Sequence, residues 1–131
     1  MSKVRPSPCE ACPYRRDVPS GLWARQEYEK LRAYDAETPQ QPMATFACHA
    51  TPQAYCHGWA VVHMTRGHDR ELLALRVWPP EGGLPEPVVP LFASGTEAAD
   101  HGERDIDDPS GEALRAMSRL VAKHPRLQEE D

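Results

Sequence analysis

At 131 residues and 14.7 kDa the chain has the size of one domain, and 7% aromatic content, 14 prolines and a mean hydropathy of -0.66 allow only a modest core. The net charge of -5 is uneven: residues 1–78 carry +2 and residues 79–131 carry -7, which excludes a general nucleic-acid binder with a strong basic patch. No run nears the roughly 20 apolar residues that span a bilayer, and Met1-Ser2-Lys3-Val4-Arg5-Pro6 lacks a secretory apolar region, so a cytoplasmic protein with no membrane contact and reduced thiols is expected.

Pro6 and Pro8 bring the chain in extended form to Cys9-Glu10-Ala11-Cys12-Pro13. Two residues between the cysteines let both sulfurs turn toward one ion, and Pro13 keeps the turn from becoming a helix. A turn at Pro19-Ser20-Gly21 precedes a predicted helix over 22–34, where Tyr28, Leu31 and Tyr34 recur at intervals of three and Trp23 extends the apolar face. Trp23, Tyr28 and Leu31 are read first as core. Pro39 and Pro42 close that segment in a loop.

Thr45-Phe46-Ala47-Cys48 is β-tolerant and reads as a short strand delivering Cys48. The near-continuous apolar run from Tyr55 to Met64 suits a short buried helix with Cys56 on its first turn, where the helix N-terminus favours a thiolate. Gly67-His68-Asp69 breaks the pattern, and a second helix runs from Asp69 to Val77; the pair forms a hairpin expected to pack on helix 22–34. Residues 79–92 are rich in proline and glycine, and a short amphipathic turn is expected at 94–102. After the start signal Asp108-Pro109, the apolar positions Ala113, Leu114, Met117, Leu120 and Val121 mark the clearest helix, which either closes over the core or serves a partner. The expected fold is therefore mainly α with little β: a metal-stabilised four-cysteine domain at 1–78 with a loop-borne knuckle, a proline-rich and acidic linker at 79–109, an amphipathic C-terminal helix at 110–124 and an acidic tail at 125–131.

The four cysteines follow the pattern Cys-x2-Cys, 35 residues, Cys, 7 residues, Cys. The first pair is a familiar knuckle, whereas the second is wide for a zinc ribbon. Cys9, Cys12, Cys48 and Cys56 are the expected metal ligands, with His49 and His57 as alternative ligands or as donors behind them. Zinc is the expected ion, and an iron–sulfur cluster is the alternative, since four thiolates suit both. Two disulfides are the lesser reading for a reducing compartment.

Pro8-Cys9-Glu10-Ala11-Cys12 matches half of a zinc nucleobase deaminase signature, but the upstream His or Cys with its Glu two residues later is missing. A thiol–disulfide oxidoreductase lacks its preceding strand, and Gly82-Gly83 is no phosphate loop. A nucleophile pair of Cys48 with His63 or His101 has no sequence context of its own. Local partner contact falls to Arg15, Arg16, Arg25, Lys30 and Arg32.

The ensemble Cys9-x-x-Cys12-Pro13-Tyr14-Arg15, Asp17, the Pro19–Gly21 turn, Phe46-Ala47-Cys48-His49 and Cys56-x-Gly58-Trp59 resembles a family of small uncharacterised four-cysteine proteins of high-GC bacteria and their phages. The resemblance covers about residues 7–78. It implies that the four cysteines form one set, with Arg15, Asp17, His49, Gly58 and Trp59 in the same pattern. The expected function is a non-enzymatic zinc domain, regulatory or phage accessory in type, that binds a macromolecule, protein before nucleic acid; an iron–sulfur or thiol redox sensor is the alternative.

Overall fold

The computed structural model describes residues 2–124, so the acidic tail read at 125–131 lies outside the described residues. The chain is a small, mainly helical domain: α1 (Arg25–Ala33), α2 (His57–Met64), α3 (Leu73–Val77), α4 (Gly95–Arg104) and α5 (Gly111–Lys123). Among the described residues β structure is limited to isolated bridges, and the expected strand at 45–48 amounts to one bridge from Ala47 to Tyr55. α1 starts later than expected, because Ala24 is extended and leaves Trp23 outside the helix. The helix expected over 69–77 divides into a 3₁₀ turn at His68–Arg70 and the short α3, with extended Glu71 and Leu72 between them.

α1 packs most closely on α4, not on a hairpin of α2 and α3. The segment read as a short amphipathic turn at 94–102 is in fact a ten-residue helix whose inner face is Gly95, Ala98, Ala99 and Gly102. Small residues at these spacings let two backbones approach. A Cβ at Gly95 would stand 2.0 Å from the Leu31 carbonyl oxygen, and one at Gly102 would stand 2.0 Å from the Tyr28 ring. Ser94 caps the helix by accepting from the Glu97 amide, and the Glu97 carboxylate accepts from Ala93 N at 3.1 Å. At the other end the Pro19–Gly21 turn is tied down: Gly21 N donates to Gly102 O at 2.8 Å, and Asp105 N donates to Ser20 Oγ at 2.9 Å.

Charge follows the same seam. Arg32 pairs with Glu29, Asp100 and Glu103, and Arg25 with Glu103 and Asp107, so carboxylates of the acidic half neutralise cations of the basic half. Each exposed pair contributes little alone; the network fixes orientation. The end of the proline-rich stretch is also docked: Arg16 N donates to Pro90 O at 3.3 Å, Phe92 N donates to Tyr14 O at 2.9 Å, and the Arg16 guanidinium lies 5.0 Å from the Phe92 ring centre. α5 buries Ala113 and Leu120, and Lys123 pairs with Glu10 at 3.1 Å.

A buried polar chain joins these parts. Tyr14 and His63 are fully buried, with Tyr14 Oη 2.7 Å from His63 Nε2. Burial first, and the nearby Cys56 and Cys12 sulfurs second, keep Tyr14 protonated, so its hydroxyl donates to His63. The other ring nitrogen, Nδ1, stands 3.6 Å from Asp35 Oδ1. Asp35 accepts from the Gly95 and Thr96 amides at 2.8 and 2.7 Å, capping α4, and from Arg66 at 3.0 Å. Burial alone would raise that carboxyl, but hydrogen bonds from Thr96 and Gly95 outweigh it and hold it below the usual range.

Burial pulls the His63 imidazole down to about 4 from its ordinary 6.5, although Asp35 opposes the shift. Between these values the unfolded chain takes up a proton that the folded chain refuses, so stability is complete above pH 6.5 and falls as pH drops toward 4. Wild-type protein is expected to lose about 2 kcal/mol more than His63→Gln between pH 7 and pH 5, measured by urea unfolding. Equal losses in the two proteins contradict this assignment.

Candidate metal centre

The knuckle is a pair of tight turns: Cys12 N donates to Cys9 O at 3.1 Å and Arg15 N to Cys12 O at 3.0 Å. Trp23 Nε1 anchors it from outside by donating to Ala11 O at 2.9 Å. The wide Cys48–Cys56 spacing closes because the chain folds back on itself, with Cys48 N donating to Ala54 O and Cys56 N to Phe46 O, both at 2.9 Å. The N-terminal segment completes the arrangement, as Tyr55 N donates to Lys3 O at 2.9 Å and Arg5 N to Tyr55 O at 3.0 Å. Both thiols that flank Tyr55 are thereby carried to the knuckle.

All four cysteines are buried and free of disulfides. Cys12 Sγ lies 3.8 Å from Cys56 Sγ, and Cys9 and Cys48 form the second pair, each shifting the other's titration. The two pairs are neighbours: Cys12 feels the charge of Cys48, and Cys56 that of Cys9. Among the described residues no three His, Cys, Asp or Glu side chains already surround one point as metal ligands. Fit to a single ion is therefore judged on the Cys12–Cys56 edge. Zinc–sulfur bonds of about 2.3 Å in a tetrahedron set sulfurs about 3.8 Å apart, the separation found there.

Backbone amides favour the anion at every sulfur. Ala11 serves Cys9; Tyr14 and Gly58 serve Cys12; Ala50 and Thr51 serve Cys48; and Trp59, in the first turn of α2, serves Cys56. An apolar core cysteine needs no such donors, whereas a thiolate ligand does. Within each pair the two sulfurs are shifted in opposite directions, one toward the anion and the other toward the thiol. The hydrogen bond from Cys9, followed by the Thr51 and Ala50 amides, brings Cys48 down to about 5, while the bond to Cys48 and burial push Cys9 up. Cys56 and the Tyr14 and Gly58 amides likewise lower Cys12, and Cys12 together with burial raises Cys56. A divalent cation would displace the two remaining protons.

The adjacent histidines have other partners. His49 Nε2 is 2.9 Å from Glu27 Oε1, and its ring stacks on Trp23 with centroids 4.1 Å apart. That bond, with help from Lys30, holds the Glu27 carboxyl down to about 2. His57 Nδ1 donates to Arg5 O at 2.9 Å, which braces the N-terminal segment beside Cys56. Trp59 is fully buried between Tyr34 and Tyr55, behind the Cys56 turn.

The five cations singled out for a partner all sit in ion pairs. Arg15 forms a two-point pair with Asp17 at 2.8 Å, Arg16 meets Glu97 at 3.0 Å and Lys30 meets Glu27 at 2.9 Å, while Arg25 and Arg32 face α4. Sequence reasoning missed what Gly58 does. A Cβ there would stand 2.4 Å from Tyr14 Cβ and 2.9 Å from Cys12 Sγ, so α2 reaches the knuckle only because position 58 has no side chain. The signal was a glycine two residues after a cysteine at a helix start.

A family model described as a family of unknown function (DUF6283) matches residues 4–122. It extends through α4 and α5, well past residue 78, where the sequence resemblance stopped. No curated protein and no solved structure matches.

Gly58→Ala is expected to push α2 off the knuckle and cost about 1–3 kcal/mol, with weaker metal retention. Thermal unfolding and metal content measure both effects. Wild-type values for both contradict the close approach.

Proposed function

The chain belongs to this family of unknown function, and we propose that it is a non-enzymatic domain, stabilised by one zinc ion, that binds a macromolecular partner. One observation carries the reading: all four cysteines are buried, and Cys12 of the knuckle and Cys56 at the start of α2 stand with their sulfurs 3.8 Å apart. In a core this small, such a set is a folding device. Four thiolates leave no open coordination position for water or substrate, so the ion is structural.

A protein partner is favoured over nucleic acid. All five candidate cations pair with the chain's own carboxylates, which removes them as free phosphate contacts. Met43, Val77, Trp78, Leu84 and Val88 remain exposed, and apolar and aromatic surface of this kind suits protein contact. The setting we infer is the cytoplasm, in regulatory or phage accessory proteins of high-GC bacteria. An iron–sulfur cluster is the alternative: two thiolates that share one iron stand about as far apart as on zinc, so iron content and colour decide between the two.

Protein purified without added metal is expected to carry about one zinc per chain and no iron by elemental analysis. A strong chelator, or Cys12→Ser, is expected to unfold it, as followed by circular dichroism. Less than about half an equivalent of zinc contradicts the reading, as does a brown protein carrying iron.

A further inference from the structure

Three short segments lie side by side: residues 3–5 bond to Tyr55 in parallel sense, and residues 46–48 bond to 54–56 in antiparallel sense. Phe46 O and Cys48 N are the bonded groups of the outermost segment, so the N–H and C=O of Ala47 between them point to its far edge. Among the described residues neither group has a hydrogen-bond partner. Thr45 and Ala47 are exposed, whereas Phe46 and Cys48 are buried. The opposite margin of this small sheet is guarded, since residues 3–5 carry Lys3 and Arg5, Pro6 follows, and His57 Nδ1 donates to Arg5 O at 2.9 Å. Residues 44–48 have no charge and no proline to guard theirs. A cavity of about 600 Å³ lies along that open edge, with Ala44, Phe46 and Ala47 on one side and Ala33 and Tyr34 of the α1 end on the other. It is braced twice, by Tyr34 Oη donating to Ala44 O at 2.8 Å and by His49 Nε2 at 2.9 Å from Glu27 Oε1.

We propose that this edge docks an extended, uncharged segment of a partner protein, which joins the sheet as a further strand beside Ala47. The proposal deepens the protein-partner reading and rests on it. Ala47 N–H donates to a carbonyl of the segment and Ala47 C=O accepts from one of its amides, a pairing that only an extended backbone supplies. Period-two alternation then sends every second side chain of the segment into the cavity and the others to solvent. The entering side chain is apolar, because Phe46, Tyr34 and Ala33 offer it apolar surface. Charge sets the remaining condition. Glu27 uses one carboxylate oxygen on His49 and the other on Lys30, so the charged part of the wall is already matched and favours a segment without net charge.

The test uses the full-length protein, with zinc quantified first. Randomised heptapeptides displayed on phage are panned against it, and the strongest binder is synthesised and added to isotope-labelled protein for amide hydrogen exchange by NMR. Saturating peptide is expected to slow exchange of the Ala47 amide about tenfold or more. N-methylation scanned along the peptide is expected to weaken binding about tenfold at the residue whose N–H meets Ala47 C=O and to leave it unchanged at the next residue, whose N–H faces away. Ala33→Phe puts a ring on the exposed α1 wall of the cavity and is expected to weaken the peptide about tenfold at unchanged zinc content and unfolding midpoint. A peptide that leaves Ala47 exchange unaltered and instead shifts the signals of Trp78 or Val88 keeps the protein-partner reading and overturns the docking edge. Recovery of no binder overturns it as well, and so does protection of Ala47 in concentrated protein without peptide, which assigns the edge to a second copy. Lack of zinc sinks the metal reading alone, and Ala47 exchange in that protein still decides the edge.

Discussion

The fold depends on the approach of α2 to the Cys9–Cys12 turn. Gly58 lies against Tyr14 and the Cys12 sulfur, with no room for a Cβ, and this contact holds Cys56 3.8 Å from Cys12. Two sulfurs this close repel as anions and lack partners as neutral groups unless something compensates. Backbone amides and shared hydrogens compensate in part. A divalent cation would compensate fully, which is why the ion is assigned the role of a staple and not of a catalyst.

From that contact the rest of the molecule is connected outward. Tyr14 reaches His63 on α2, His63 faces Asp35 at the end of α1, and Asp35 caps α4. α4 lies on α1 through a face of glycine and alanine, with arginines of α1 paired to its carboxylates. The charge asymmetry of the sequence thus becomes an internal interface. Arg16, Arg25 and Arg32 of the front half meet carboxylates of the back half, while Arg15 and Lys30 pair within the front half.

Much of this was legible from residue patterns. Five apolar positions spaced at helical intervals marked α5, and the apolar run after Tyr55 marked α2, with Cys56 expected on its first turn and found one residue earlier, at its N-cap. α4 was underread because its buried face is Gly95, Ala98, Ala99 and Gly102, which carry little hydrophobic signal; their value lies in how closely they let Tyr28 and Leu31 approach. The capping pair Ser94 and Glu97 was the cue that could have extended it. The pairing of residues 14–16 with 90–92 was hidden by distance along the chain, and the Tyr14–His63–Asp35 chain because each member looks ordinary alone. The cysteine set was readable as a set, but the close approach of Cys56 to Cys12 depends on a fold-back and a glycine contact that only the fold creates.

The central claim is that one zinc ion joins Cys9, Cys12, Cys48 and Cys56. X-ray absorption at the zinc edge addresses it most directly, since sulfur and nitrogen neighbours differ in distance and scattering. The account predicts four sulfur neighbours at about 2.3 Å and no light-atom ligand. A nitrogen neighbour at about 2.0 Å, bringing His49 or His57 into the ligand set, or a bound water oxygen would contradict it.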